Sequence, residues 1–189
     1  IGGVGLVPDT ARTATIALKR EGDLLVLIGR EDGWLGQSIY QLVFTEKLEG
    51  APPPVDLADE IKASRLVRAL IREGAVSAVH DCADGGLLVA VAEMALAGDM
   101  GVELYPYEGK LPAHAIWYGE DQGRYVLSVA PTRAEEILER ARLLALPARI
   151  VGKSGGASIA LKGEAWIPLD ELRSAHEGFL PTLMDNPLE

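Results

Sequence analysis

The run His80-Asp81-Cys82-Ala83-Asp84-Gly85-Gly86-Leu87 gathers an imidazole, two carboxylates, a thiol and two glycines into one short stretch. An apolar segment, Ala75-Val76-Ser77-Ala78-Val79, leads into it, and an Ala/Leu/Val-rich stretch from Leu87 to Ala97 leads out. A strand that ends in His-Asp and turns through Asp-Gly-Gly into a helix leaves backbone N–H groups unpaired. Those groups, with the positive end of the helix dipole, favour an anion such as phosphate. Gly85 and Gly86 lack the Cβ atoms that would hold a ligand away from the backbone. Asp81, Asp84 and His80 beside such a nest have the chemistry of metal or ribose contacts. The same residues also read as a plain helix start, with Asp84 as N-cap, Gly85-Gly86 as a tight turn, and His80 and Asp81 as strand-end polar groups. The pattern leaves both readings open.

Two further glycine-bearing loops adjoin strands: Gly33 to Ser38 and Gly119 to Arg124. Gathered at one edge of a sheet, the three loops would form a ligand crevice. Gly119-Glu120-Asp121-Gln122-Gly123-Arg124 concentrates carboxylates, an amide and a guanidinium. Glu120 or Asp121 could orient a substrate or hold Mg²⁺, and the planar fork of Arg124 could clamp a phosphate. The competing reading is a solvated loop with an internal ion pair. Other motifs are missing. Gly152-Lys153-Ser154-Gly155 has the residues of a Walker loop but not its spacing, Gly2-Gly3-Val4-Gly5 lacks the dinucleotide spacing, and no Gly-x-Ser-x-Gly elbow occurs. His114 and His176 have no metal-ligand spacing to each other or to Cys82, and read as surface or structural residues. Cys82 follows an apolar strand with only His80 as a nearby base, so it reads as a buried structural thiol. Trp34, Trp117 and Trp166 read as packing anchors, the first two adjoining the glycine loops.

The elements that must position these loops follow from periodicity. Strands are expected at Thr15–Leu18, Leu24–Ile28, Ala75–Val79, Val102–Tyr105 and Tyr125–Val129. The continuous run Leu24-Leu25-Val26-Leu27-Ile28 predicts a central strand covered on both faces. A helix is predicted from Ser38 to about Leu48. A second runs from N-cap Asp56 to Glu73, with Ile61, Leu66, Val67, Leu70 and Ile71 as its apolar face. Thr132-Arg133-Ala134-Glu135 matches a capping box before a helix to about Leu146. Arg149–Lys153 and Ser158–Leu161 read as a hairpin around Gly155-Gly156. Pro168–Phe179 reads as a last helix, and Met184–Glu189 as a frayed tail. Ile1–Leu6 reads as a Gly-rich strand end. Alternating strands and helices, with adjacent strand pairs, predict a three-layer α/β/α domain on a mixed sheet.

The bulk numbers are compatible with that domain. The chain has 189 residues, 48% hydrophobic and 24% charged, which is enough for one sizeable core. A net charge of −10 argues against a nucleic-acid surface, and no apolar run approaches the ~20 residues of a bilayer span. One cysteine excludes an internal disulfide and fits a reducing compartment, so a cytoplasmic location is expected. The start at Ile1 rather than methionine reads as a piece of something longer.

Taken together, four segments in order resemble the C-terminal half of phosphoribosylformylglycinamidine synthase, the amidine-forming ligase of purine biosynthesis. Ile1-Gly2-Gly3-Val4-Gly5-Leu6 is similar to the family's Val-Gly-x-Val-Gly-Leu. Leu35-Gly36-Gln37-Ser38-Ile39-Tyr40 is similar to Leu-Gly-Gly-Ser-Glu-Tyr. The His80–Leu87 run is similar to His-Asp-Val-Ser-Asp-Gly-Gly-Leu, and Gly119–Arg124 to Gly-Glu-Ser-x-Ser/Gly-Arg. The chain departs at Gln37, Ile39, Cys82, Ala83 and Asp121. Related folds occur in aminoimidazole ribonucleotide synthetase, selenophosphate synthetase and thiamine-phosphate kinase.

The resemblance implies that residues 1–189 are a single domain, the second aminoimidazole-ribonucleotide-synthetase-like C-terminal domain of a longer synthase, with 1–10 the end of the preceding one. It implies ATP and Mg²⁺ as cofactors of the whole enzyme. The implied partners are the N-terminal domains of the same chain, a glutaminase subunit and a small accessory subunit, with no nucleic acid and no membrane. Nucleotide or phosphate contacts are implied for Ser38, Asp84, Gly85, Gly86, Glu120, Gln122 and Arg124, and a metal contact for Asp84. No catalytic residue is expected in these residues, so the isolated domain is expected to be inactive. The alternatives are a non-catalytic nucleotide- or phosphate-binding regulatory domain, and a small-molecule kinase of related fold.

Overall fold

The computed structural model describes residues 2, 4–162 and 165–185. Seven strands form one sheet: β1 (Leu24–Ile28), β2 (Ala78–Asp81), β3 (Val102–Leu104), β4 (Tyr125–Val129), β5 (Ala148–Ser154), β6 (Ser158–Leu161) and β7 (Trp166–Pro168). Their order is β2-β4-β1-β5-β3-β6-β7, antiparallel throughout except for the parallel pair β3–β6. The helices are α1 (Ile39–Thr45), α2 (Leu57–Arg72), α3 (Gly86–Gly98), α4 (Ala113–Tyr118), α5 (Pro131–Leu143), α6 (Leu169–Glu177) and α7 (Phe179–Asp185).

Strand β1 is central and has helices on both faces, as its unbroken apolar run predicts. Leu25 and Leu27 point into a core shared with Leu87, Val91 and Met94 of α3, Ile116 and Trp117 of α4, and Leu169 of α6. Val26 and Ile28 point the other way, against Leu66, Val67 and Leu70 of α2 and Ile137 and Ala141 of α5. The period-2 alternation of one strand thus joins two cores, giving the expected α/β/α layers. Helix α2 starts at Asp56, whose carboxylate accepts from the N–H groups of Ala58 and Asp59, and Gly74 follows its end as predicted.

Several expected elements differ. Thr15–Leu18 makes only one bridge, Thr15 to Ala78, because β2 is short and its outer edge takes no full partner. That edge strand begins at Ala78 and runs through His80 and Asp81, displacing the expected Ala75–Val79. Ile61 is half-exposed, since the buried stripe of α2 runs through Ala63, Leu66, Val67 and Leu70. Helix α1 stops at Thr45, where Glu46 takes a left-handed conformation.

No capping box forms at Thr132. Pro131, whose fixed φ suits the first helical position, starts α5 earlier and leaves Ala130 as N-cap. Strands β5 and β6 are not a hairpin, because β3 lies between them and takes the hydrogen bonds of both. Pro168 ends β7 and caps α6, and Met184 and Asp185 close α7. Gly2 and Val4–Leu6 lie outside any strand, with Val4 and Leu6 fully exposed. Ile1, Gly3 and residues 186–189 lie outside the described residues.

Candidate functional site

The three glycine loops meet at one end of the sheet, and two consecutive carboxylates hold them there. Asp121, buried, accepts from the N–H groups of Gly33 and Trp34, each at 3.0 Å. Glu120 uses a single oxygen, Oε1, to accept from the N–H groups of Ile39 and Gly85, each at 2.8 Å. Its own N–H donates to the Trp34 carbonyl at 2.9 Å. Glu120 and Asp121 therefore satisfy four backbone donors that lie far away in the sequence.

Arg124 lies beneath this clasp with 1% of its surface exposed. Its guanidinium donates to the carbonyls of Gly119 and Asp121, and its Nη1 lies 3.6 Å from Asp121 Oδ2. Among the described residues Nη1 has no hydrogen-bond partner. The arginine braces its own loop from inside rather than presenting a fork to solvent. This is the internal ion pair of the plainer reading, but buried instead of solvated.

The Asp-Gly-Gly turn keeps its glycines for internal reasons. Gly85, at φ +78°, caps α3 without any side-chain cap, so Asp84 is not the N-cap. A Cβ on Gly86, at φ +69°, would meet the backbone of Trp117, Tyr118 and Gly119. The close approach that this glycine allows is by α4 and the loop after it. The N–H of Gly85 goes to Glu120 and that of Gly86 to the Ala83 carbonyl. The anion seated at the start of α3 is the protein's own carboxylate.

Ser38 is fully buried and is the N-cap of α1: its Oγ accepts from Gln41 N–H at 3.1 Å and donates to the Leu35 carbonyl at 2.7 Å. Beside it Gln37 holds φ +61°, a left-handed conformation at a position where the resembling motif carries glycine. Its side chain offsets part of that strain by donating to the Gly50 carbonyl at 3.0 Å. Asp84 and Gln122 are exposed and make no side-chain hydrogen bond among the described residues. Both border a cleft of about 240 Å³ that is also edged by Glu60, Asp81, Glu120 and Tyr125. Burial, reinforced by the Glu60 and Asp81 carboxylates, pushes the Tyr125 phenol up from its ordinary value.

Two contributors escaped the sequence reading. Glu60 reaches the cleft from the first turn of α2, where its only sequence signal is that of an acid favoured by the helix dipole. The ring of Tyr40 packs on Phe44, His114 and Tyr118 at centroid distances of 4.6, 5.7 and 5.3 Å. The four-residue spacings Tyr40/Phe44 and His114/Tyr118 were the available signal. His80, on the edge strand, is bonded on both ring nitrogens: Nε2 lies 2.7 Å from Glu93 and Nδ1 3.3 Å from Asp81.

Among the described residues no three His, Cys, Asp or Glu side chains converge as a metal site. Mg²⁺ bound to a nucleotide needs only one or two carboxylates, the rest being phosphate oxygens and water. Asp84 stands at the edge of the cleft with its side chain exposed.

Cys82 is buried, and burial pushes its thiol up from near 9 to about 12; Arg124 opposes the shift, while Asp81, Glu31 and Asp121 add to it. The thiol is expected to resist alkylation by iodoacetamide at pH 8 in the folded protein and to react once unfolded; rapid native-state labelling would contradict its inert role. The sign for stability follows. Above about pH 9 the unfolded chain gains a thiolate that the folded chain refuses, so this group's contribution is lost as pH rises from about 9 towards 12.

A family model described as AIR synthase related protein, C-terminal domain, matches residues 20–162. The phosphoribosylformylglycinamidine synthase subunit PurL of Methylocella silvestris is 48% identical over 184 residues, covering 97% of this chain and 25% of its own length. The subunit of the same name from Rhodopseudomonas palustris strain TIE-1 is 45% identical over the same shares. The chain thus spans about a quarter of the length of the curated relatives it matches. Among solved structures, Thermotoga maritima PurL complexed with ATP aligns with a TM-score of 0.68 at 20% identity, over 86% of this chain and 27% of that one. Its complex with FGAR aligns at 0.70 and 20%, over 85% and 29%. The hydrogenase maturation protein HypE of E. coli aligns at 0.56 and 20%, over 84% and 52%. At these identities the structural likenesses establish the fold alone.

Proposed function

Because the chain belongs to the AIR synthase related protein C-terminal domain family, we propose that it is the C-terminal domain of an ATP-dependent synthase that converts formylglycinamide ribonucleotide to formylglycinamidine ribonucleotide. The observation that supports this most is the near-complete match of the chain to one quarter of PurL subunits, at 43–48% identity. A domain of that share completes a larger site and does not carry the reaction. The amide of Gly85 at the start of α3, where an anion would otherwise sit, is already taken by the Glu120 carboxylate, which supports this reading.

In this reading ATP and Mg²⁺ are bound chiefly by parts of the synthase outside these residues. Asp84 and Gln122, exposed and free of internal bonds, are the groups here that meet nucleotide, metal or substrate held elsewhere. Ser38, Gly85, Gly86 and Arg124 serve by shaping the loops. The partners are the preceding domains of the same polypeptide, then a glutaminase and a small accessory subunit that deliver ammonia. Solved Thermotoga maritima structures with ATP, ADP and AMPPCP, and one titled PurLQS, are the neighbours that favour ATP and such an assembly. The cytoplasm is the location this role requires. No helix among the described residues is long and apolar enough to cross a membrane. An independent phosphate-binding regulatory domain is disfavoured, since a free phosphate would have to displace Glu120.

The test is an assay of the intact polypeptide with formylglycinamide ribonucleotide, ATP, Mg²⁺ and ammonium, run beside residues 1–189 alone. Turnover is expected only from the intact chain. Product formed by residues 1–189, or none by the intact chain, would overturn the proposal.

A further inference from the structure

Helix α1 is apolar nearly all round. Five of its seven residues are Ile39, Tyr40, Leu42, Val43 and Phe44, and none of the seven is buried. Tyr40 packs inward on His114 and Tyr118, while Ser38 and Glu120 hold the first turn, so the helix is fixed at its N-terminal end. Ile39, Leu42 and Val43 share a face at three- and four-residue spacing and are 41%, 40% and 66% exposed. Phe44 beside them is 69% exposed, its ring 4.6 Å from that of Tyr40. From Gly33 to Thr45 no side chain is charged, in a chain where 24% of residues are. A helix this short takes its stability from packing, and one apolar on every side belongs in an interior. The face is built to be covered, and by an uncharged surface, since it offers no charge to pair with one.

Size decides between occupants. Seven residues span about 10 Å of helix axis, whereas a stable complex of separate molecules buries roughly 800 Å² on each partner. So small a patch does not hold two free chains together. It suffices for a neighbour on the same polypeptide, whose effective concentration is on the order of millimolar. Relatives that match 97% of this chain carry about three quarters of their length outside the match.

We propose that the exposed face of α1 is a docking surface for another domain of the same polypeptide, with Val43 and Phe44 entering an uncharged, apolar groove on it. The proposal rests on the synthase reading above, in which these residues are one domain of a longer chain. The aromatic contacts running from Tyr118 through Tyr40 to Phe44 fix the Phe44 ring before docking, so little side-chain freedom is lost on contact.

The intact polypeptide tests this through Val43→Cys, labelled with iodoacetamide and read by peptide mapping at α1. The thiol is expected to react at least about tenfold more slowly in the native chain than in the urea-unfolded one, a protection that 66% exposure would not give. The slow rate should persist through a roughly hundredfold dilution, because a contact within one chain does not depend on concentration. Adding Phe44→Asp, which puts a charge into the contact, should restore rapid labelling while hydrogen exchange in β1 and β4 stays as in wild type. Rapid labelling of Val43→Cys alone would overturn the proposal. So would protection lost on dilution, the mark of a second copy, or protection that survives Phe44→Asp. Quickened exchange in β1 and β4 would overturn it too, placing α1 in this domain's own core. Where Phe44→Asp does not fold, Phe44→Ala is read for the same two quantities. Product formation is scored separately. An inactive chain that protects Val43→Cys loses the synthase reading and keeps the docking surface; an active chain that labels rapidly does the reverse.

Discussion

Gly86→Ala is expected to destabilise the domain by about 3–5 kcal/mol, more than the usual core substitution to a slightly different size. Two costs add. At φ +69° an alanine is strained by about 1–2 kcal/mol. Its Cβ would also press on backbone that has nowhere to go: 2.8 Å from the Tyr118 carbonyl carbon and 3.1 Å from the Trp117 carbonyl oxygen, with Gly119 O nearer still. Relief requires α3 to part from α4, and so Leu87 and Trp117 to loosen in their shared core. For a chain of this size the Tm should fall by roughly 6–20 °C. Gly85→Ala is the control. Its φ of +78° is as unfavourable, but its new Cβ would meet only Val89, in the first turn of α3 itself, and would leave the packing of α3 on α4 untouched. Urea denaturation of both variants checks the order, and a Gly86→Ala domain within 1 kcal/mol of wild type would refute the packing argument.

Asp121→Ala is expected to cost a similar amount, about 3–5 kcal/mol, for an electrostatic reason. Removing the carboxylate leaves the guanidinium of Arg124, 1% exposed, as a buried charge without its counter-ion. It also strips the N–H groups of Gly33 and Trp34 of their acceptor. Asp121→Asn keeps an acceptor oxygen but not the charge, and should fall between wild type and alanine. Adding Arg124→Met to Asp121→Ala removes the stranded charge, so the double variant should be more stable than Asp121→Ala alone. Stability that simply adds across the two substitutions would show that the pair is not coupled. If the proposed synthase role holds, Asp121→Ala in the full polypeptide is also expected to lower its activity, since the Gly119–Arg124 loop that borders the cleft loses its lock.

How much of this could be read from the residues depends on the range of the interaction. The central position of Leu24–Ile28 was legible because one strand's unbroken apolar run requires cover on both faces. That the three glycine loops flank strands was legible too, but their gathering at one edge entered only as a condition, since the order of strands in the sheet decides it. What Glu120 does was not legible. The N–H groups that donate to it lie 81 and 35 positions away, and no local pattern specifies a carboxylate that points inward rather than at a ligand. Arg124 stayed open between a phosphate clamp and an internal ion pair for the same reason: a guanidinium fork looks alike whether it faces solvent or its own loop. At Thr132 a correct local signal lost to a stronger one, Pro131, one position earlier. At Gly85-Gly86 the glycines were correctly singled out, yet the backbone they admit belongs to the protein.

The slot occupied by β3 also bears on how the chain folds. Strands β5 and β6 are separated by only three residues, Gly155 to Ala157, and would close quickly if they could pair with one another. Instead the edges that β5 and β6 turn towards each other must wait for Val102–Leu104, which arrives from about fifty residues upstream and runs parallel to β6, although β5 also pairs with β1 and β6 with β7. The join between β5 and β6 therefore forms through distant loop closure, the slow route for a chain entering its native topology. Until β3 docks, the edges of β5 and β6 stay open to wrong partners, including each other in the hairpin that their sequence invites.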